Sequence, residues 1–350
     1  MRSFEKGKVS IVTPCYNGER FLDLYFDSLC TQSYDTVELI FVNDGSTDNS
    51  EKVCLSWKSK VEKRGFGFRY ISQKTCKGAT SAINQGLPFV TGEFLIWPDC
   101  DDSLMPTSIE KRVEFLNMHP DYAMVRSDYV SVDEESPEII RERGSDLYDI
   151  KNEDIFDNLI FQKTYVISGC YMVRSSVFFE RIPHGQICMK IQGGGQNWPI
   201  LLPCSYKNKT GYIDEPLYTY IIHSDSTSQK IDGDHYSSRK NSQNYYHDIL
   251  IKVIHDFFLL SDDEKTNYLN RIERYYSIRR LDLALSCNCS HDAKTELQQL
   301  HDKKIDPGIA RKILYRLCYL GLSRYIFNSW LLVTPYLRKN MKRLLSYHRS

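Results

Sequence analysis

Short apolar runs alternate with longer amphipathic segments along residues 1–130. The runs at 9–12, 38–42 and 94–97 have the length and composition of buried strands, and 70–71 predicts a shorter one. In the segments between them, apolar residues recur at the spacing of one helix face. This alternation is typical of βαβ units, so we predict an α/β fold with a largely parallel sheet flanked by helices.

Polar residues that can cap helices precede two of these amphipathic segments. Asn17 stands before the apolar positions of 21–29. Asp48 is followed three residues later by Glu51, which is the spacing of a capping box. We therefore predict helices that begin at these residues, and a third helix over 78–87.

Three polar clusters follow strands of the predicted sheet, at the points where those strands end. They occupy 13–17, 43–46 and 99–102. In open α/β sheets, ligands bind at the carboxyl ends of the strands, where neighbouring loops meet. We expect the three clusters to converge on one crevice.

Beyond residue 130 the pattern is less regular. An acidic stretch without clear periodicity covers 133–160, and an apolar pattern resumes at 166–173. From about residue 240 the periodicity is helical only, which places a soft boundary near 229–242. The predicted domains are residues 1–230, which divide near residue 130, and a helical C-terminal region at 240–350 with a basic tail.

The whole-chain charge is balanced, with 45 Lys and Arg residues against 45 Asp and Glu. This balance gives no support to a nucleic-acid partner. The segment 307–350 differs, because it holds nine Lys or Arg residues and no Asp or Glu. Its apolar positions recur at helical spacing, which predicts either an interfacial helix on anionic lipid or a basic helix packed on the core or on a second copy.

The cysteines and the N-terminal sequence indicate the cellular compartment of the protein. The eleven cysteines include no Cys-x-x-Cys pair, which fits a reducing cytoplasm better than a disulfide framework. No apolar stretch of signal-peptide length follows Met1, and no run of about 18 apolar residues occurs. We predict a cytoplasmic protein that makes any membrane contact peripherally, at the inner face of the plasma membrane.

An acidic cluster, Asp99-Cys100-Asp101-Asp102, follows the predicted strand at 94–97 directly. Carboxylates at the end of a buried strand are costly unless a positive group meets them, and a divalent metal with a diphosphate is one such group. Asp99 and Asp101 would leave the turn in the same direction, while Asp102 can cap the next helix. The alternative is a solvated acidic turn followed by a helix cap.

Three segments, in the correct order, resemble family 2 of the inverting glycosyltransferases, which have the GT-A nucleotide-binding fold. They are 9–17 (VSIVTPCYN), 42–48 (VNDGSTD) and 92–102 (GEFLIWPDCDD). The resemblance covers residues 8–225 and leaves the last third of the chain unexplained. It implies a GT-A type, Rossmann-like sheet in a glycosyltransferase domain over 1–230. Residues 1–130 would be its nucleotide-sugar-binding half and residues 131–230 its acceptor half.

The resemblance also implies roles for donor-binding residues. Pro14 and Tyr16 would flank the nucleotide base, and Asp44 would bond the base or the ribose, as its acceptor oxygens allow. Lys77 would meet phosphate, with a solvated lysine as the alternative. The full predicted donor-binding set is Thr13, Pro14, Tyr16, Asp44, Lys77, Asn84, Asp99, Cys100 and Asp101.

A metal site is implied by the same resemblance. Asp99 and Asp101 would hold Mn²⁺ or Mg²⁺ together with the diphosphate. His223 would be the third protein ligand, as in some GT-A enzymes, and a lone surface histidine is the alternative.

The acceptor half departs from the family pattern where a general base is expected. Family members commonly place Glu-Asp at a helix start, whereas this chain has Gln196-Asn197 before Trp198. An amide cannot accept a proton at neutral pH. Three interpretations stay open: the base lies elsewhere, the two amides orient the acceptor, or activity has been lost. The candidate substitutes for the base are Asp128 and Asp225, and the predicted acceptor-binding residues are Trp198 and Asp102.

The resulting hypothesis is a metal-dependent, inverting hexosyl- or N-acetylhexosaminyltransferase. It would use a nucleoside-diphosphate sugar, UDP by family frequency, and a hydroxyl acceptor on a glycan or lipid-linked glycan in surface-polysaccharide synthesis. One alternative is a sugar nucleotidyltransferase, although its Gly-rich basic loop is missing at 13–17. The other is a non-catalytic sugar- or nucleotide-binding module, which the amide pair alone supports. A homodimer is left open.

Overall fold

Nine strands form one mixed sheet within the residues that the structure, a computed structural model, describes: 2–148, 150–187, 195–223 and 236–318. The strands are β1 (Glu5–Cys15), β2 (Val37–Asn43), β3 (Gly67–Ser72), β4 (Gly92–Ile96), β5 (Ser103–Leu104), β6 (Tyr122–Asp133), β7 (Ser136–Arg143), β8 (Tyr171–Arg174) and β9 (Lys209–Ile222). Across the sheet they follow the order β3, β2, β1, β4, β8, β6, β9, β5, and β7 pairs with β6 at the side.

The strands β1 to β4 lie side by side and run parallel, as the sequence predicts. Their carboxyl ends therefore share one edge of the sheet, which we call the carboxyl edge. Because β8 is antiparallel to both β4 and β6, β6 runs in the direction of β4, and β9 is parallel to β6. The carboxyl ends of β6 and β9 consequently lie at the carboxyl edge as well.

The parallel strands form the core because they carry apolar side chains on both faces. Val9, Ile11 and Phe41 have no exposed surface, and neither has Phe94. The helices of this part of the chain are α1 (Leu22–Cys30), α2 (Ser50–Lys63), α3 (Ala79–Gly86), α4 (Ser108–Met118), α5 (Gly144–Leu147), α6 (Phe156–Ile160), α7 (Ser175–Arg181) and α8 (Trp198–Ser205).

Two helices begin later than the capping patterns predict. α1 begins at Leu22, and the Asn17 side-chain oxygen instead accepts a hydrogen bond from the Thr47 N–H at 2.8 Å. α2 begins at Ser50, and its N-cap residue, Asn49, makes no side-chain cap. One Asp48 oxygen accepts from the Ser50 N–H, while the other bonds a neighbouring loop. The predicted caps are therefore wrong. The Asn17 and Asp48 side chains instead form hydrogen bonds between the loop after β1 and the loop after β2.

A second compact unit, Ser224–Ser350, follows the first, Met1–His223. Its described part consists of α9 (Tyr236–Asp256), α10 (Asp262–Ser286), α11 (Ser290–Asp302) and α12 (Ile309–Cys318). A complete capping box between Ser261 and Glu264 starts α10. The assignment of the two units to a 1–230 glycosyltransferase domain and a 240–350 C-terminal region stays a prediction.

In the described ranges, no helix has the length and apolarity that crossing a membrane requires. The basic segment 307–350 is described only as far as Cys318. Leu314 and Cys318 of α12 are buried in the core of the helical unit, whereas Ile309 and Ile313 are exposed. The rest of the basic segment lies outside the described residues.

Candidate functional site

The loop after β1 brings one exposed aromatic ring to the carboxyl edge. Tyr16 is 50% exposed, whereas Thr13 and Pro14 are buried at the end of the strand. The Thr13 hydroxyl pairs with the hydroxyl of Tyr25 on α1 inside the core. Among these predicted donor-binding residues, Tyr16 is thus the one whose side chain is open to a ligand.

Gly18 lets this loop approach the acidic cluster closely. A Cβ at position 18 would lie 2.8 Å from the Cys15 sulfur and 3.1 Å from the Cys100 sulfur, closer than side chains normally pack. The hydrogen bond with Cys15 and burial raise the pKa of the Cys100 thiol. A protonated, buried thiol is a poor ligand. The Cys100 sulfur is therefore not suited to bind a cation or a donor at this site.

Asp44, directly after β2, holds the loop between β3 and α3. The side chain is 2% exposed, and its two oxygens accept from the Lys77 N–H at 3.0 and 3.1 Å. One oxygen also accepts from the Gly78 N–H at 2.7 Å. The Gln73 amide and the Cys76 thiol donate to the same carboxylate at 2.9 and 3.3 Å. The structure thus brings Asp44 and the backbone of Lys77, both predicted donor-binding residues, into direct contact.

The Asn84 side chain on α3 is engaged by the protein itself. Its amide nitrogen donates to the Ile187 carbonyl at 2.9 Å, and its oxygen accepts from the Ile187 N–H at 2.7 Å. This reciprocal pair holds the backbone at Ile187. Asn84 could contact the nucleotide sugar only if both hydrogen bonds to Ile187 broke. Its predicted donor-binding role stays a prediction, and this geometry gives it no support.

Asp99 opens the acidic cluster after β4 and accepts hydrogen bonds from two neutral groups. Its oxygens accept from the Ser168 hydroxyl at 2.7 Å and from the Gln196 amide at 3.4 Å. Burial and the neighbouring Asp101 carboxylate raise the pKa of Asp99 to about 7. A carboxylate in this environment is stabilised when a cation binds beside it.

Asp101 meets the histidine that follows β9. The Asp101 Oδ2 lies 3.0 Å from Nε2 of His223, whose Nδ1 lies 3.3 Å from Nη2 of Arg20. Arginine can only donate, so Nδ1 accepts and Nε2 carries the proton that is donated to Asp101. The structure therefore brings together two of the predicted metal ligands, Asp101 and His223.

The acidic cluster fits a divalent cation whose coordination a diphosphate completes. Among the residues that the structure describes, no three His, Cys, Asp or Glu side chains are arranged to hold an ion by themselves. Mg²⁺ is commonly bound by one or two carboxylates together with substrate phosphates, and Mn²⁺ prefers the same oxygen ligands. Asp99 accepts hydrogen bonds from neutral groups, and Asp101 contacts a histidine. Both carboxylates therefore suit a cation that is also bound by substrate phosphates.

Asp102 is a structural residue, which corrects two predictions. It is 2% exposed, and its oxygens accept from the Tyr218 hydroxyl and the Ile221 N–H, both at 2.8 Å. Burial and the Asp101 and Asp99 carboxylates raise its pKa. It does not cap α4, which begins at Ser108 without a side-chain cap. Because both oxygens are used to hold β9, its side chain is not open to an acceptor either.

The amide pair and Trp198 are also engaged inside the protein. The Asn197 oxygen accepts from the Trp97 indole N–H at 3.0 Å, and its nitrogen donates to the Val166 carbonyl at 2.6 Å. Trp198 is 4% exposed, and its indole N–H donates to a backbone carbonyl of α6 at 3.2 Å. Because the Trp198 side chain is buried, this geometry gives no support to its predicted contact with the acceptor. Gln196, by contrast, touches Asp99.

Asp128, a candidate substitute for the base, is fully buried in β6. Its oxygens accept from the Arg143 guanidinium at 3.1 Å and from the hydroxyl and N–H of Ser145, each at 2.9 Å. A buried, ion-paired carboxylate is not placed to take a proton from an acceptor, so this assignment is wrong for the geometry observed. Asp225, the other candidate, lies outside the described residues.

Two residues that contact the acidic cluster or its histidine are absent from the sequence-based prediction. Ser168 donates to Asp99 across 69 positions of the chain, and Arg20 reaches His223 across 203. Neither lies in a motif, and only the pairing of β4 with β8 and of β6 with β9 brings them to the cluster. No local signal in the sequence identifies them.

Comparison with known proteins places this site in a family. Residues 10–182 match the model described as Glycosyl transferase family 2. An uncharacterized glycosyltransferase of Haemophilus influenzae is 25% identical over 322 residues, which make up 88% of this chain and 97% of the relative. Uncharacterized glycosyltransferases of Rickettsia typhi and Rickettsia prowazekii are 30% identical over 175 residues. The match spans about half of this chain and about half the length of those two relatives.

Solved structures share the fold over nearly the whole chain. S. aureus TarS 1–349 in complex with UDP-GlcNAc has a TM-score of 0.57 at 16% identity, covering 94% of this chain and 93% of that chain. Mannosyltransferase PcManGT from Pyrobaculum calidifontis in complex with GDP-Man and Mn²⁺ has a TM-score of 0.55 at 14% identity, covering 97% and 87%. At such identities the likeness shows the fold alone. The predicted α/β fold of GT-A type, with a C-terminal helical region, is confirmed.

Proposed function

Because the chain belongs to glycosyl transferase family 2 through residues 10–182, we propose that it transfers a sugar from a UDP-sugar to a hydroxyl group of a glycan or glycolipid, with inversion. The observation that carries the proposal is the position of Tyr16, Asp44, Asp99 and Asp101 after three adjacent parallel strands, at one edge of the sheet. Ligands bind at this edge in open α/β sheets. The sugar would be a hexose or an N-acetylhexosamine.

Tyr16 and Asp44 form the nucleotide end of the proposed site. The exposed ring of Tyr16 can stack on a flat pyrimidine. The Asp44 oxygens already accept from four groups of the loop between β3 and α3. Asp44 would therefore serve the nucleotide chiefly by shaping that loop.

Asp99, Asp101 and His223 would hold Mn²⁺ or Mg²⁺ together with the donor diphosphate. The bound cation would offset the charge that develops on the leaving UDP. Because burial and Asp101 raise the pKa of Asp99 to about 7, the part of the protein in which Asp99 carries a proton would lose that proton when the cation binds. To bind the cation through Nε2, His223 would have to lose the proton on that nitrogen. Its hydrogen bonds to Asp101 and Arg20 would then rearrange.

The amide pair would position groups at the acceptor side without taking a proton. Asn197 uses both a donor and an acceptor to tie Trp97 to Val166, which a carboxylate could not do because it has no N–H. Gln196 donates to Asp99, where a glutamate would add a third negative charge beside Asp99 and Asp101. The amides therefore suit their surroundings better than the family's carboxylates would.

Replacing Asn197 by Asp tests this interpretation. We expect the free energy of unfolding to fall by about 1–3 kcal/mol, because the Val166 carbonyl loses its donor and a buried charge appears. We also expect a lower rate of the transfer reaction, measured as the rate at which free UDP is produced. Denaturant unfolding and a UDP-release assay measure both effects, with the exposed Asn117→Asp as the matched control. Faster release in Asn197→Asp would instead identify this position as the site of the base.

The nucleotide product separates the proposed function from its alternatives. A thermal-shift screen of nucleotide sugars with Mn²⁺ first selects the donor, which is then incubated with the protein and a glycolipid extract as acceptor. The proposed transferase frees UDP, a sugar nucleotidyltransferase frees pyrophosphate, and a non-catalytic module frees neither. Release of pyrophosphate, or of no product with every donor that binds, would refute the proposal.

We place the reaction in surface-polysaccharide synthesis, on a lipid-linked acceptor at the inner face of the plasma membrane. The basic segment 307–350 supports this location, since Lys and Arg attract anionic lipid. On α12, Ile309 and Ile313 are exposed at 76% and 52%. They supply apolar surface next to those charges.

Truncation after Cys318 tests the membrane contact. A cut at residue 307 would also remove Leu314 and Cys318 from the core of the helical unit, so the later cut is the cleaner one. We expect the truncated protein to sediment less with vesicles containing phosphatidylglycerol, while its melting temperature stays unchanged. Equal sedimentation of both proteins would show that residues 319–350 are not the membrane contact.

A further inference from the structure

Arg20 lies in the loop between β1 and α1, at the carboxyl edge of the sheet. Its side chain is 47% exposed, so the guanidinium is open to a ligand that approaches this edge. Nη2 of Arg20 lies 3.3 Å from Nδ1 of His223, and Nε2 of the same ring lies 3.0 Å from Oδ2 of Asp101. Arg20 therefore places a positive charge one imidazole ring away from the acidic cluster.

The charges of the proposed metal site favour a further positive group. The ionised carboxylates of Asp99 and Asp101 balance the charge of one divalent cation, so the negative charge of a donor diphosphate would remain uncompensated. That charge grows as the sugar departs, since the leaving UDP keeps the electron pair of the broken bond. A guanidinium is suited to bind such a group because its N–H donors match phosphate oxygens in pairs.

The ring of Phe21 supports the Arg20 guanidinium independently of its hydrogen-bond partners. The central carbon of the guanidinium lies 4.4 Å from the centroid of the Phe21 ring, and that centroid lies 4.6 Å from the centroid of the His223 ring. Stacking of this kind uses the face of the guanidinium, whereas its N–H groups point outward in the plane. Arg20 can therefore change its acceptors without leaving Phe21.

Glu134 is an acceptor that a diphosphate can replace. It lies in the turn between β6 and β7, and its Oε1 is 3.5 Å from Nε of Arg20. The Glu134 side chain is 37% exposed, and ion pairs between exposed side chains contribute little to stability. A diphosphate at the acidic cluster carries more negative charge than one carboxylate and offers paired oxygens to the guanidinium.

The contact between Arg20 and His223 is also one that donor binding would end. Nδ1 of His223 accepts from Arg20 because the ring proton is on Nε2. A neutral histidine that binds a cation through Nε2 carries its proton on Nδ1 instead. Both groups would then be donors, so Arg20 would need another acceptor at the moment when the diphosphate meets the cluster.

We propose that Arg20 is a donor-binding residue, which moves from Glu134 and His223 to the diphosphate when the nucleotide sugar and the cation bind. This inference rests on the proposed function and deepens it, because it assigns the leaving group to a residue outside the three motifs. Glu134 is then the competing anion that holds Arg20 before the donor arrives.

The test compares UDP with uridine, which has the same base and ribose but no phosphate. Calorimetry measures UDP and saturation-transfer NMR measures uridine, both on the full chain with the diamagnetic cation Mg²⁺. In Arg20→Gln we expect the affinity for UDP to fall about tenfold or more, while the affinity for uridine stays unchanged. Arg20→Lys keeps the charge but loses the paired donors, so its affinity for UDP should lie between the two.

Glu134→Gln gives a change of opposite sign. Because it removes the competing anion, the affinity for UDP should rise about two- to fivefold. If the pair only stabilised the turn, the affinity would fall or stay the same. In the double variant with Arg20→Gln the gain should disappear, since Glu134 acts through Arg20.

The matched control is Arg69→Gln, which removes an arginine of β3 that lies over another phenylalanine, 4.2 Å from the centroid of the Phe89 ring. It should leave the affinity for UDP unchanged. Unchanged UDP affinity in Arg20→Gln, or an equal loss for UDP and uridine, would overturn this inference alone. If the wild type binds no UDP with Mg²⁺ or Mn²⁺, the proposed function and this inference fail together.

Discussion

Replacing Asp101 by Asn is expected to weaken metal-dependent binding of UDP strongly while the fold stays intact. Asp101 keeps a partly exposed carboxylate 3.0 Å from His223 Nε2, at the point where the cation and the diphosphate would meet. The variant loses the negative charge but can still bond to His223. We expect the affinity for UDP with Mn²⁺ to fall by roughly 100-fold, about 2.7 kcal/mol. Isothermal titration calorimetry with and without Mn²⁺ measures the loss.

Two neighbouring substitutions make this result specific. Asp27→Asn removes an exposed carboxylate of α1 and should leave UDP binding unchanged. Asp102→Asn should lower the melting temperature more than Asp101→Asn does, because Asp102 accepts from Tyr218 and Ile221 in the core. Unchanged metal-dependent binding in Asp101→Asn would remove Asp101 from the metal site.

Asp44→Asn is expected to have the second-largest effect, on the loop that borders the nucleotide. The Asp44 carboxylate accepts from the Lys77 and Gly78 N–H groups with both oxygens. Asparagine offers one oxygen and no negative charge, so the Lys77 and Gly78 N–H groups face a weaker acceptor, and its NH₂ group meets either the Gln73 amide or the Gly78 N–H. The loss of stability should be about 1–3 kcal/mol, and UDP affinity should fall roughly tenfold or more.

Hydrogen exchange shows whether the effect of Asp44→Asn arises in this loop. The amides of Lys77 and Gly78 should exchange faster in the variant, while those of the buried strand β1 keep their protection. The matched control is Asp35→Asn, a mostly exposed carboxylate that precedes β2. If UDP affinity falls without faster exchange at 77 and 78, Asp44 contacts the nucleotide directly and does not act through the loop.

The parallel half of the sheet was predictable from the sequence because its signals are local. Apolar runs of strand length that alternate with helical periodicity predict βαβ units, and the rule that ligands bind at carboxyl ends then places 13–17, 43–46 and 99–102 together. The resemblance of these segments to glycosyltransferases of family 2 added the fold type, which the comparisons confirm.

The use of individual side chains at that edge was not predictable. Thr13 and Asn84 stand in motifs, yet their polar groups bond to Tyr25 and to the Ile187 backbone. Asp102 looks like a helix cap, yet it holds β9. Each of these partners lies far away along the chain or in another element, so local spacing carries no information about it.

The amino-acid sequence by itself determined the element order of the first half, the family and the carboxylates that cluster at the strand ends, because periodicity and motifs are properties of neighbouring residues. Tertiary structure alone decided which of those carboxylates stays open. Pairing of β6 with β9 brings His223 to Asp101 and buries Asp102 beneath it, and the turn before β8 brings Ser168 to Asp99. These contacts depend on strand pairing over long distances along the chain, which no local pattern specifies.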